Sequence, residues 1–141
     1  IIHVEVPTRI VGTLNFKSGA TGVLITSFDI WTDEQSAITI YGSKGSLRVP
    51  DPNTFGGPIE LLRAGSDVWE SVPVVYGYQD NSRGLGVNDL CIALREGRTP
   101  RANCDQTFHV LDLMCAFHEA SEKGAAVKLQ SGFERMPPFA L

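Results

Sequence analysis

The stretch from Asn103 to Leu129, NCDQTFHVLDLMCAFHEASEKGAAVKL, constrains the fold of this chain more than any other. Both ends of a long helix are marked in it. Asn103 can cap the amino end, and Gln106 three residues later completes a capping-box-like pair for backbone N–H groups that would otherwise stay open. Lys123 and Gly124 mark the carboxyl end, one complementing the helix dipole and the other allowing a left-handed turn. Val110, Leu113, Met114, Phe117 and Ala120 follow the helical period and predict a buried stripe. Phe108, Leu111, Cys115 and Ala116 are apolar as well, so the helix is expected to have neighbours on more than one side.

The remaining 114 positions must supply those neighbours, and 43% hydrophobic with 20% charged residues describes an ordinary globular chain. A length of 141 residues suits one domain. The net charge of −4 and a pI near 5.3 argue against nucleic acid or an anionic membrane as partner, because both reward clustered Lys and Arg. No apolar run approaches the roughly 20 residues that span a bilayer. The chain starts without Met, in what already reads as strand, and is expected to be a fragment or a processed product. Cys91, Cys104 and Cys115 are odd in number and show no C-x-x-C spacing. Cys91 and Cys115 read as small core hydrophobes, and a reducing cytoplasm is the expected compartment.

Upstream of the long helix, short runs alternate with turn residues. Residues 9–16 place Ile10, Gly12, Leu14 and Phe16 on one face, and Lys17-Ser18-Gly19-Ala20 supplies a hairpin turn. The return strand, 22–30, is apolar on both faces, with Val23 and Ile25 opposite Leu24, Phe28 and Ile30. That pattern predicts a central strand covered on both sides. Strands follow at 37–41 and 46–49 around Gly42-Ser43-Lys44-Gly45. A loop rich in Pro and Gly comes next (50–58), then strands at 59–63 and 68–72. Asp80, Asn81 and Ser82 offer caps for a helix running to Gly97, with Val87, Leu90, Cys91 and Leu94 as its buried stripe and Asn88, Asp89, Arg95 and Glu96 in water. A short strand or extended segment is expected at 126–129. The fold class is therefore α+β: an open, mainly antiparallel meander of about six strands with two C-terminal helices packed on one face.

Few motifs carry chemistry. Gly84-Leu85-Gly86-Val87-Asn88-Asp89 lacks the third glycine of a dinucleotide fingerprint and follows no parallel strand, so it reads as a helix start. Gly42-Ser43-Lys44-Gly45-Ser46 misses the G-K-[ST] core of a phosphate loop and joins two strands, so it reads as a hairpin turn. His109 and Asp112 can share a helix face, but no His pair stands at the spacing of a zinc helix, and no metal site is expected. His118 lies near the helix's final turns, where a cation suits the dipole. The densest polar cluster is 76–83, YGYQDNSR, whose phenols, amides, carboxylate and guanidinium can hydrogen-bond a polyhydroxylated ligand. Trp31, between a strand and an acidic loop, is a candidate for the rim of a pocket.

Several segments together resemble the carboxyl-terminal domain of the glucose-fructose oxidoreductase / inositol dehydrogenase / MocA family of NAD(P)-dependent sugar dehydrogenases. They are Pro7-Thr8, Gly19-Ala20, Ser27-Phe28-Asp29 and Tyr41-Gly42-Ser43-Lys44-Gly45-Ser46-Leu47 with Val49-Pro50-Asp51-Pro52-Asn53. Asn81-Ser82-Arg83-Gly84-Leu85-Gly86, Asp89-Leu90, Gly97-Arg98-Thr99-Pro100-Arg101, His109-Val110-Leu111-Asp112 and Glu134-Arg135-Met136-Pro137 complete the set. The resemblance covers nearly the whole chain. It implies that residues 1–141 are the C-terminal half of a two-domain oxidoreductase, whose N-terminal Rossmann domain is absent here and would bind NAD or NADP. It further implies homo-oligomers through the open sheet face and a small polyol (sugar, cyclitol or similar) as substrate. The family's lysine from an E-K-P motif and its Asp/His pair match nothing in this chain, so no catalytic or cofactor-binding residue is carried over.

Arg83, Asn81, Tyr78 and Trp31, with His109 behind them, are the residues expected to contact substrate. The competing expectation is a stand-alone ligand-binding or dimerisation module without catalytic activity. A third is a self-contained hydrolase or lyase using His109.

Overall fold

The computed structural model describes residues 3–31, 36–75, 77–80 and 82–139. Six strands precede two helices: β1 (Arg9–Asn15), β2 (Thr21–Ser27), β3 (Ile38–Gly42), β4 (Gly45–Val49), β5 (Ile59–Arg63), β6 (Trp69–Val72), α1 (Leu85–Glu96) and α2 (Cys104–Lys123). All strand pairs are antiparallel, and the class is α+β. The chain divides into two compact units. One joins Ile1–Thr32 to Cys104–Glu134, and the other joins Asp33–Asn103 to Arg135–Leu141.

The first unit is built on a hairpin. β1 and β2 pair from Arg9↔Ser27 to Asn15↔Thr21, and the turn closes with Phe16 N–H donating to the Ala20 carbonyl at 2.9 Å, around Gly19 at φ 88°. Beyond the other end of the ladder, the Thr8 hydroxyl donates to Asp29 at 2.5 Å. Ile10, Gly12 and Leu14 form the less exposed face of β1. A Cβ at Gly12 would overlap the Phe117 ring of α2, so the missing side chain is what lets the helix lie close.

Two expectations change here. Among the described residues β2 pairs with β1 alone, and Val23 and Ile25 are 67% and 68% exposed, so within its unit it is not a strand covered on both sides. In α2, Leu113, Phe117 and Ala120 are half-buried as the stripe predicts and Ala116 is buried, but Val110 and Met114 are exposed. The inward face runs through Gln106, His109, Asp112, Leu113 and Ala116, rotated toward polar residues that have local partners. Residues 125–130 form no strand.

The second unit holds a four-stranded meander in the order β3-β4-β5-β6. Ser43 and Lys44 make the two-residue turn between β3 and β4, with Gly42 opposite Gly45. On one face Arg48 lies 3.6 Å from Glu60 across the β4–β5 pair, and its guanidinium sits 3.9 Å from the Trp69 ring centroid. α1 follows and ends at Gly97, which is left-handed (φ 65°) and donates its N–H to Ala93.

The buried face of α1 is not the expected one. Val87, Leu90 and Leu94 are 67%, 45% and 75% exposed, whereas Asp89 and Ala93 are buried and Leu85 and Ile92 half-buried. Apolar periodicity placed Asp89 in water, but two later arginines satisfy its charge and let it turn inward. The helix is entered through Gly84 without a side-chain cap, so Asp80 and Ser82 do not serve as caps. The three cysteines are free and exposed, so Cys91 and Cys115 are not core residues.

Candidate functional site

The second unit carries a groove of about 690 Å³ between the 50–57 loop and the segment that leads into α1. The loop is shaped by its own turns. Asp51 Oδ1 accepts the Asn53 N–H at 2.8 Å, and the Thr54 hydroxyl donates to the carbonyls of Asp51 (2.7 Å) and Gly56 (3.1 Å). A Cβ at Gly56 would stand 2.9 Å from the Gln79 carbonyl oxygen, so glycine lets the two walls approach. Asn53, Phe55, Gln79 and Arg83 are among the residues that line the groove. The Arg83 guanidinium lies 5.8 Å from the Phe55 ring centroid, and no carboxylate among the described residues is within ion-pair distance of it.

The second unit also holds an ion cluster that ties Asp89 of α1 to two arginines after the helix. Arg98 Nη2 and Arg101 Nη1 donate to Asp89 Oδ1 at 2.7 and 2.5 Å, and the Arg101 main-chain N–H donates to Oδ2 at 2.7 Å. The Arg98 hydrogen bond, then the Arg101 amide and guanidinium, hold the Asp89 carboxyl at about 2 against an ordinary 3.8, outweighing the opposing effect of burial. Arg101 reaches further, donating to the carbonyls of Pro137 (2.9 Å) and Pro138 (3.2 Å) with its guanidinium 4.2 Å from the Phe139 ring. Phe139 in turn packs on Tyr78 at 5.5 Å between centroids. Tyr78 holds φ at 66°, a strained conformation for a non-glycine residue, directly before Gln79 of the groove.

The first unit has a polar cluster of its own. The Ser131 hydroxyl donates to Asp112 Oδ2 at 2.5 Å, its main-chain N–H reaches the same oxygen at 3.2 Å, and its Oγ stands 2.8 Å from His109 Nδ1. The Ser131 hydroxyl and amide, assisted by His109, pull the Asp112 carboxyl below its usual range. The serine sits between acid and imidazole, so the imidazole is not oriented by the carboxylate as in a hydrolytic triad. The His109 ring also packs on Phe133 at 5.4 Å. The cluster fastens residues 131–133 to α2.

Of the residues expected to contact substrate, Arg83 lines the groove and Tyr78 stands beside it on Phe139. Asn81 lies outside the described residues. Trp31 and His109 belong to the first unit; Trp31 is fully exposed, and His109 is engaged with Ser131. Sequence reasoning missed Asn53 and Phe55. The available signal was the turn-dense 50–58 stretch, since long loops on a rigid scaffold often carry binding groups.

Among the described residues Gly84 and Leu85 open α1 after an irregular segment and both sheets are antiparallel, so no strand-to-helix phosphate turn that would fit a dinucleotide is formed among them. No group of three or more His, Cys, Asp or Glu comes together to hold a metal among the described residues, and no helix is long and apolar enough to cross a membrane.

Comparison with known proteins agrees with the architecture. Residues 4–129 match a family model described as the C-terminal alpha/beta domain of an oxidoreductase family, that of glucose-fructose oxidoreductase, inositol dehydrogenase and MocA. A protein of Haloferax volcanii named D-xylose 1-dehydrogenase (NADP(+)) 2 is 30% identical over 129 residues, which cover 88% of this chain. The chain spans only 37% of that relative's length. No solved structure matches the chain. With an α+β fold, and a family match that runs through β1 to α2, the chain belongs to the glucose-fructose oxidoreductase / inositol dehydrogenase / MocA family as its C-terminal domain.

Proposed function

We propose that this chain is the substrate-binding and oligomerisation half of a cytoplasmic NAD(P)-dependent dehydrogenase that acts on a sugar, cyclitol or similar polyol. In this reading it works with a Rossmann domain and is inactive alone. The observation that carries it is the groove of about 690 Å³, lined by Asn53, Phe55, Gln79 and by Arg83, which has no ion-pair partner among the described residues. The likeness to a D-xylose dehydrogenase supports the substrate class and the nicotinamide cofactor.

In the parent enzyme a nicotinamide bound by the other domain would supply the hydride-transfer chemistry at a carbinol carbon. The work of this half is orientation. Arg83, Gln79 and Asn53 hold oxygens of the ligand, Phe55 offers an apolar surface, and Tyr78 sets the rim, so that one C–H is presented to the other domain. Oligomerisation is assigned to the β1–β2 hairpin, where Val11, Val23 and Ile25 are each about two-thirds exposed on one face of the ladder.

The test is Arg83→Ala in the full-length dehydrogenase. KM for the sugar substrate should rise about tenfold or more with a smaller change in kcat, as expected when a ligand-holding contact is removed. An unchanged KM would remove the groove from substrate binding.

A further inference from the structure

Four arginines of the second unit have carboxylate partners. Arg48 faces Glu60, Arg63 faces Glu70, and Arg98 and Arg101 share Asp89. Arg83 is the exception that lines a cavity, and its own groove contains a carboxylate, Asp51, that does not neutralise it by contact. Asp51 is turned into its loop, where Oδ1 accepts the Asn53 N–H. The amide side chains of Asn53 and Gln79, which also line the groove, make no hydrogen bond among the described residues. Among the described residues Arg83 is the one cation of the lining. A ligand with a single negative charge gives it a partner, whereas the second charge of a dianion would find no cation in the lining and normally recruits one.

A guanidinium fork matches the two oxygens of a carboxylate, and primary amides match hydroxyls, which both donate and accept. We infer that the groove binds a polyhydroxylated monocarboxylate, a sugar acid, with Arg83 on the carboxylate and Asn53 and Gln79 on the hydroxyls. The assignment rests on the groove being the substrate site, and it narrows the polyol class proposed above to members carrying one carboxylate.

Calorimetric titration of the full-length protein with D-glucuronate, D-gluconate, D-glucose and D-glucose 6-phosphate tests it, using wild type, Arg83→Gln and Arg83→Lys. At least one acid should bind about tenfold or more tightly than D-glucose, Arg83→Gln should erase that difference, and Arg83→Lys should retain part of it. Arg83 is exposed, so the variants should fold as wild type does, which their melting temperatures check. Equal binding of acid and neutral sugar, weakened alike by Arg83→Gln, overturns the carboxylate while leaving the groove as the sugar site. No effect of Arg83→Gln on any ligand overturns the groove itself. Tighter binding of the phosphate ester than of either acid, or binding of neither acid, also overturns the assignment.

Discussion

Asp89 and Asp112 perform the same task in the two units by different chemistry. Each sits on the inward face of a helix, each has its acidity raised by its partners, and each fastens a later, irregular stretch of chain to that helix. Asp89 is 2% exposed and is met by two guanidiniums and an amide. Asp112 is half-buried and is met by a hydroxyl, an amide and, through the hydroxyl, an imidazole. Full burial of a carboxylate demands opposite charge at contact distance, whereas partial exposure lets neutral donors suffice. The price of the first solution is dependence: removing either side leaves a buried charge without its partner.

That contrast orders the expected effects of mutation. Asp89→Ala should lower the melting temperature of the full-length protein most, on the order of 10 °C, because it strands Arg98 and Arg101 together. Ser131→Ala should cost about 4 °C, since the amide of residue 131 can still reach Asp112. Equal losses in thermal melts would break the comparison. Acid provides a second axis. Asp89 is held at about 2 when folded against 3.8 when free, so its contribution is complete above about pH 4 and disappears as pH falls through 2. Asp112 is shifted in the same direction, and its contribution is also lost on acidification. Asp89→Asn should therefore flatten the fall in melting temperature between pH 4 and pH 2, and a curve parallel to wild type would contradict this. Smallest of all, Arg83→Gln should leave the melting temperature within about 2 °C of wild type. A larger fall would make Arg83 a structural residue and not a ligand contact.

The same contrast explains what could be read in advance. Strand positions, both hairpin turns, the stop at Gly97 and the extent of α2 were legible because each is encoded within a few residues. The resemblance to the family rested on those local marks and is confirmed by the match over 4–129. The buried face of α1 was not legible. Apolar spacing favoured Val87, Leu90 and Leu94, and only Arg98 and Arg101, 9 and 12 residues beyond Asp89, make the observed face possible. The site was half legible. Arg83 and Tyr78 stood in a visibly polar cluster, but Phe55 and Asn53 reach the groove from a loop without periodicity. Trp31 was singled out for its chemistry, and its full exposure shows that no described residue covers it.

The Arg101 contacts have a consequence for how this domain can be divided. Chain leaves the second unit after Asn103, builds α2 and its clasp in the first, and comes back at Arg135. The guanidinium that closes on Pro137 and Pro138 therefore spans 36 and 37 residues of excursion. Neither unit is a continuous segment, so no single cut yields a whole one. A boundary drawn at Asn103 would keep every strand of the four-stranded sheet and still deprive Arg101 of two acceptors and Tyr78 of its ring partner. The two units are distinct as packed bodies, but as genetic modules they are inseparable.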